Sequence, residues 1–156
     1  MANFAHVQAF KKQVGGKVCR FRSKLEYRWA VWRQLRKEQG YILDWWYEDA
    51  ETLLELETAY KGNKKMYLPD FTIQTLDGNY EYEECKGYFP SKDATKIRLA
   101  AQQYENPITL IFANLKNTKS QRTQYNRAKD LEPHLKRIIY DAKKTIFDKI
   151  SGLFEE

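Results

Sequence analysis

The chain has 156 residues, with 27 Lys and Arg against 21 Asp and Glu for a net charge of +6, and is 42% hydrophobic and 15% aromatic. That length supports one domain with its own core rather than two, the composition excludes a disordered or collagen-like chain, and no apolar run reaches the roughly 20 residues that span a bilayer. The excess positive charge turns the search for partners to polyanions, nucleic acid before membrane surfaces.

Residues 1–20 read as a flexible basic arm that turns at Val14-Gly15-Gly16-Lys17. Lys11, Lys12 and Lys17 either touch phosphate or are simply solvated, since chain ends are loose unless docked. The N-terminus has no charged and apolar leader, so a cytoplasmic protein is expected. Cys19 and Cys85 match no metal-ligand spacing and are expected as reduced thiols.

From Ser23 the pattern becomes helical, with Leu25, Trp29, Trp32 and Leu35 at helical spacing and Gly40 as the stop. Ser23 and Glu26 fit a capping box, which is one use for Glu26. Residues 41–60 favour strands, with Leu54, Leu56 and Thr58 on one side and Glu55 and Glu57 on the other. A helix over 48–57 is the other reading, because Glu, Ala and Leu are good helix formers; the acidity of this stretch marks a solvated face. Lys61-Gly62-Asn63-Lys64-Lys65 is a polar turn, either closing a hairpin or linking two chains.

Residues 67–74 and 80–87 read as antiparallel neighbours joined at Leu76-Asp77-Gly78-Asn79, Asp-Gly being a strong hairpin signal. Ser91 is a candidate N-cap for a helix over 92–105. Asn106-Pro107 ends that helix, and the apolar run 108–113 fits a strand buried on both faces. A basic loop follows, then two helices over 125–130 and 133–150, the second with Leu135, Ile138, Ile139, Ile146 and Ile150 as its stripe. The expected fold class is α/β, a central mixed β-sheet flanked by helices, with residues 126–156 as a helical extension of the same domain.

The chemistry concentrates in residues 67–87. Asp70 starts one strand, and Glu84 and Lys86 stand two residues apart on the next, on one face. Two acids and a lysine that converge suit a hard divalent cation beside a phosphate. A lone Glu-x-Lys is more simply a surface ion pair; Asp70, a turn, Glu-x-Lys and an upstream helical Glu26 in order are less readily accidental. His6 and His134 have no partner pattern. Trp29, Trp32, Trp45 and Trp46 are read as core and interface before base-stacking platforms.

Pro69-Asp70 with Glu84-Cys85-Lys86 and Glu26 resembles the PD-(D/E)xK nuclease motif. Phe21-Arg22-Ser23-Lys24-Leu25-Glu26, Tyr67-Leu68-Pro69-Asp70-Phe71, Glu84-Cys85-Lys86-Gly87 and the run 108–113 resemble, in the same order, the blocks of the endonuclease I family of phage Holliday-junction resolvases. Residues 49–57 and the last helix lie outside the pattern. The resemblance implies a restriction-endonuclease-like core over 21–125 and a Mg²⁺-dependent DNA endonuclease, with Mn²⁺ able to substitute. It implies that Asp70 bridges the metal, that Glu84 holds the same site with the backbone carbonyl of Cys85, that Glu26 completes the acidic cluster, and that Lys86 orients or activates water and steadies the phosphate. The implied partner is branched DNA and the implied assembly a homodimer, with elements exchanged across a bridge near residues 61–65. Lys24, Arg28, Lys92, Lys96, Lys116, Lys119 and Arg122 are the expected phosphate contacts. A less structure-selective phage nuclease for DNA breakdown or packaging, and a non-catalytic DNA-binding module, are the competing readings.

Overall fold

The computed structural model describes residues 8–58 and 64–155. Its centre is a five-stranded mixed sheet in the order β3-β6-β7-β8-β9, formed by Asp44–Tyr47, Phe71–Gln74, Tyr80–Lys86, Ile108–Phe112 and Arg137–Ile139. The first two pairings are antiparallel and the last two parallel. Helix α1 (Lys24–Glu38) lies on one face, and helices α2 (Ser91–Gln103) and α3 (Arg122–Leu131) lie on the other. No helix among the described residues is long and apolar enough to cross a membrane.

Two cores result, one per sheet face, and strand alternation sorts residues between them. Ile111 and Cys85 pack with Trp29, Trp45 and Phe71 on the α1 side. Leu110, Phe112 and Tyr82 pack with Ile97, Ala100 and Ala128 on the α2 side. All five residues of β8 are buried, which is why four of them are apolar, with Thr109 the exception, instead of apolar and polar residues alternating.

Helix α1 forms where its spacing places it. Its N-cap Ser23 accepts from the Glu26 amide at 3.2 Å, and it ends in a Schellman motif in which Gly40 (φ +82°) donates to Lys37 O and Tyr41 donates to Arg36 O. The hairpin β6–β7 is antiparallel as expected, and β4 (Leu54–Glu57) is a strand with Leu54 and Leu56 inward, not a helix. β4 pairs within the chain with β5 (Lys64–Tyr67), from Leu54 opposite Tyr67 to Glu57 opposite Lys64. Most of the turn or linker expected over 61–65 lies outside the described residues.

Three expectations are corrected. Residues 10–21 are not an arm but a hairpin, β1 (Phe10–Val14) with β2 (Lys17–Phe21), whose Val14 and Phe21 enter the α1-side core. Gly15 has φ +60°, the positive value that two-residue hairpin turns require, and a Cβ there would stand 2.5 Å from Gln34 Cδ. Ser91 is the first residue of α2 rather than its cap; Pro90 takes the cap position and makes no side-chain cap bond.

The third correction concerns the C-terminus. The helix over 133–150 does not form. A 3₁₀ turn (Glu132–His134), β9, the short helix α4 (Ala142–Thr145) and a 3₁₀ segment (Phe147–Leu153) replace it. Ile138 and Ile139 pair with Leu110 and Ile111 in the sheet, so this region completes the fold instead of extending it. An Ile-rich stripe satisfies helical and extended spacing alike over so short a run, and the open edge of β8 selects the strand.

Candidate active site

The alternation of β7 divides its charged residues. Glu83 and Cys85 face α1; Glu84 and Lys86 face α2, with Lys86 Nζ 3.6 Å from Glu84 Oε2. Asp70 ends the extended segment between β5 and β6, and its pairing to β7 is reciprocal. The Cys85 amide donates to Asp70 Oδ2 at 2.9 Å, and the Asp70 amide donates to Glu84 Oε1 at 2.9 Å. Each carboxylate is thus fixed by the other residue's strand.

Asp70, Glu84 and Lys86 line one cleft of about 320 Å³, together with Arg22, Glu48, Tyr67, Asp93 and Lys96. Glu48 and Asp93 carry no sequence signal that marks them for this site, and Tyr67 is marked only as the first residue of the block that holds Asp70. Asp93, in the first turn of α2, holds Lys86 Nζ at 3.0 Å. Glu48 has φ +46°, an uncommon conformation for a side-chain-bearing residue; its amide donates to Asp70 O at 2.8 Å, and its carboxylate takes Arg22 through two contacts of 3.2 Å. The sequence places it at the edge of a solvated acidic face, and only the antiparallel docking of β3 on β6 brings it to Asp70. Tyr67 is 5% exposed, and its hydroxyl is the one buried side-chain polar atom without a hydrogen-bond partner among the described residues. It is near enough to Glu84 to favour that carboxylate's charged form without meeting hydrogen-bond geometry.

Glu26 does not line the cleft. Its Oε1 accepts from the Arg22 amide at 3.2 Å and from Ser23 Oγ at 3.1 Å, and its Oε2 accepts from Tyr47 OH at 3.0 Å. The expected capping box is therefore present in altered form, reaching the Arg22 amide instead of that of Ser23. Glu26 still acts on the site through its charge, which raises the proton affinity of both Asp70 and Glu84.

The electrostatics are dominated by burial, which the charge of Lys86 offsets only in part. Burial, then the charges of Glu84 and Glu26, push Asp70 well above the ordinary carboxylate range. Burial pushes Glu84 up to about 7 against the opposing pull of Lys86. Burial disfavours the Lys86 ammonium, but Glu84 and Asp93 outweigh it and hold its pKa above that of an ordinary lysine. Lys86 is thus a cation at neutral pH, suited to holding a phosphate and unsuited to accepting a proton. The Cys85 thiol, raised well above its usual range by burial, is inert.

Were all four carboxylates of the cleft ionised, they would outnumber its three cationic side chains and repel a phosphodiester. A hard divalent cation reverses that balance, and paired buried carboxylates with an orphaned hydroxyl beside them are the donor chemistry it takes. Among the described residues, no three His, Cys, Asp or Glu side chains stand together closely enough to hold a metal as they are arranged. Asp70 and Glu84 are accordingly a two-carboxylate site that needs backbone or water oxygens to complete it.

The expected phosphate contacts divide by position. Lys96 lines the cleft, and Lys92 is exposed one turn before it. Lys24 is exposed in the first turn of α1, whereas Arg28 lies 5.5 Å above the Phe154 ring. Lys116, Lys119 and Arg122 are exposed on and just after the loop that follows β8. Because Lys86 sits opposite Phe112 in the parallel register, that loop leaves the sheet at the Lys86 end. Comparison of the chain with family models, with curated proteins and with solved structures gave no match.

Proposed function

We propose that this chain is a Mg²⁺-dependent DNA endonuclease built on a restriction-endonuclease-like core. The observation that carries the reading is the reciprocal bonding of Asp70 and Glu84 in a cleft whose third functional group is a charged Lys86. Supporting it are the order of elements, a helix with Glu26, then the hairpin with Asp70 and Glu-x-Lys, then a parallel strand reached through α2. Asp70 and Glu84 would hold the cation, with the Cys85 carbonyl as a further oxygen donor and Glu26 as a charge behind the pair. The bound metal would supply activated water and neutralise the phosphate in the in-line transition state. Lys86, positioned by Asp93, would hold a non-bridging phosphate oxygen, and Lys96 would anchor the neighbouring phosphate.

The narrower reading is a phage junction-resolving enzyme that acts as a homodimer, since two symmetric nicks need two sites and a twofold axis supplies them. It rests on the resemblance of four sequence blocks, as does the exchange of elements across residues 61–65.

Asp70→Asn and Lys86→Ala are expected to lower cleavage by ~10²-fold or more while leaving DNA binding intact. The assay compares four-way junction, flap and linear duplex with Mg²⁺, Mn²⁺ or EDTA. Cleavage of linear duplex with the junction left whole would remove the resolvase reading and keep the nuclease. Binding without cleavage under any metal would leave a DNA-binding module.

A further inference from the structure

The β1–β2 hairpin carries more positive charge than its own contacts use. Of its basic residues, those on the inward face are engaged within the chain. Lys12 Nζ donates to Glu155 O at 2.7 Å, and Lys17 Nζ is 3.3 Å from Asp44 and 5.5 Å from the Trp45 and Trp46 rings. Those on the outward face differ. Lys11 and Arg20 are both exposed, stand directly opposite each other in the register, and have no acidic partner among the described residues. Like charges directly across an antiparallel pair destabilise it. Arg22, two residues after Arg20 and at the bend that leads from β2 into α1, is also exposed and lines the cleft. The Arg22 side chain is 73% exposed, so Glu48 holds it only weakly, in a place where a phosphate oxygen could take over its guanidinium.

We propose that the outer face of the β1–β2 hairpin is a docking ribbon for the backbone of duplex DNA, with Lys11 and Arg20 contacting phosphates and Arg22 joining that track to the cleft. The inference rests on the DNA nuclease reading. It reverses the simplest view of the basic N-terminal region: Lys12 and Lys17 belong to the fold, and Lys11 and Arg20 belong to the partner.

The test measures binding of a fluorescein-labelled linear duplex by full-length Asp70→Asn protein, which is expected to bind without cutting, over a salt series. Adding Lys11→Gln with Arg20→Gln should flatten the plot of log K against log salt by about 1.8, at about 0.9 for each phosphate that the protein no longer neutralises. The same double substitution should leave the melting temperature unchanged or raise it at low salt, because a repulsion is removed. The matched control, Lys129→Gln with Lys143→Gln, removes equal charge from residues already paired with Glu132 and Asp148 and should leave the slope unchanged. An unchanged slope in the hairpin variant, or an equal flattening in the control, overturns the ribbon while the nuclease reading stands. Failure of the Asp70→Asn protein to bind DNA at all overturns both.

Discussion

The Glu84 carboxylate, buried and bonded to the Asp70 amide, ties the cleft to pH. Its folded pKa, about 7, lies above its ordinary value of 4.5, so the folded protein binds the proton more tightly than the unfolded chain. The stability it contributes is complete below about pH 4.5 and is lost as pH rises through 7. The amount is on the order of 3 kcal/mol, and Asp70 shifts in the same direction. Thermal denaturation in EDTA should therefore show a melting temperature that falls across this window. Glu84→Gln should flatten that fall, and millimolar Mg²⁺ at pH 7.5 should restore the missing stability in the wild type but not in the variant. A flat profile in the metal-free wild type would refute the coupling. The choice of Glu84 over its neighbour Glu83 follows from strand alternation alone and was legible in the sequence. Glu48 was not, because its approach to Asp70 depends on a φ of +46° and on the pairing of β3 with β6.

Between elements, the tie that sets α1 against the sheet is a buried ion pair. Arg33 on α1 donates to both carboxylate oxygens of Glu83 on β7, through Nε at 2.8 Å and through a second guanidinium nitrogen, and Trp29 Nε1 donates to the same carboxylate at 2.8 Å. Both side chains are at most 10% exposed. Removing one partner strands a charge in the interior, so Arg33→Ala should cost about 3–5 kcal/mol, measurable by urea denaturation. Arg33→Met with Glu83→Leu should recover most of that loss, because the desolvation penalty disappears with the charges. If Arg33→Ala were neutral, this ion pair would not be what positions α1, and with it Glu26, behind the cleft. The hairpin β1–β2 makes the complementary point. Its alternation Phe10, Lys12, Val14 was present in the sequence, but five residues with two lysines carry too little apolar signal to separate a docked strand from a tail.

For the molecule as a whole, the C-terminal region closes both cores. Ala142 and Phe147 enter the α1-side core, Ile138 packs on the α2-side core, and Glu155 bonds to Tyr27 and Lys12. A chain ended after His134 should therefore lose cooperative unfolding by circular dichroism and expose apolar surface, whereas a dispensable extension would leave a sharp transition. The α/β class, the β6–β7 hairpin, α1, α2 and the doubly buried β8 were all determined by the sequence alone. Each is encoded in local periodicity and turn chemistry that need no distant partner. So was the trio Asp70, Glu84 and Lys86, since a hairpin of known register brings it together. What only the tertiary structure decided is the strand at residues 137–139, the entry of Glu48 and Asp93 into the cleft, the withdrawal of Glu26 behind it, and the division of the hairpin lysines between fold and surface. Those outcomes depend on which element finds an open sheet edge and which charge finds a partner far along the chain, and neither is written in the spacing of neighbouring residues.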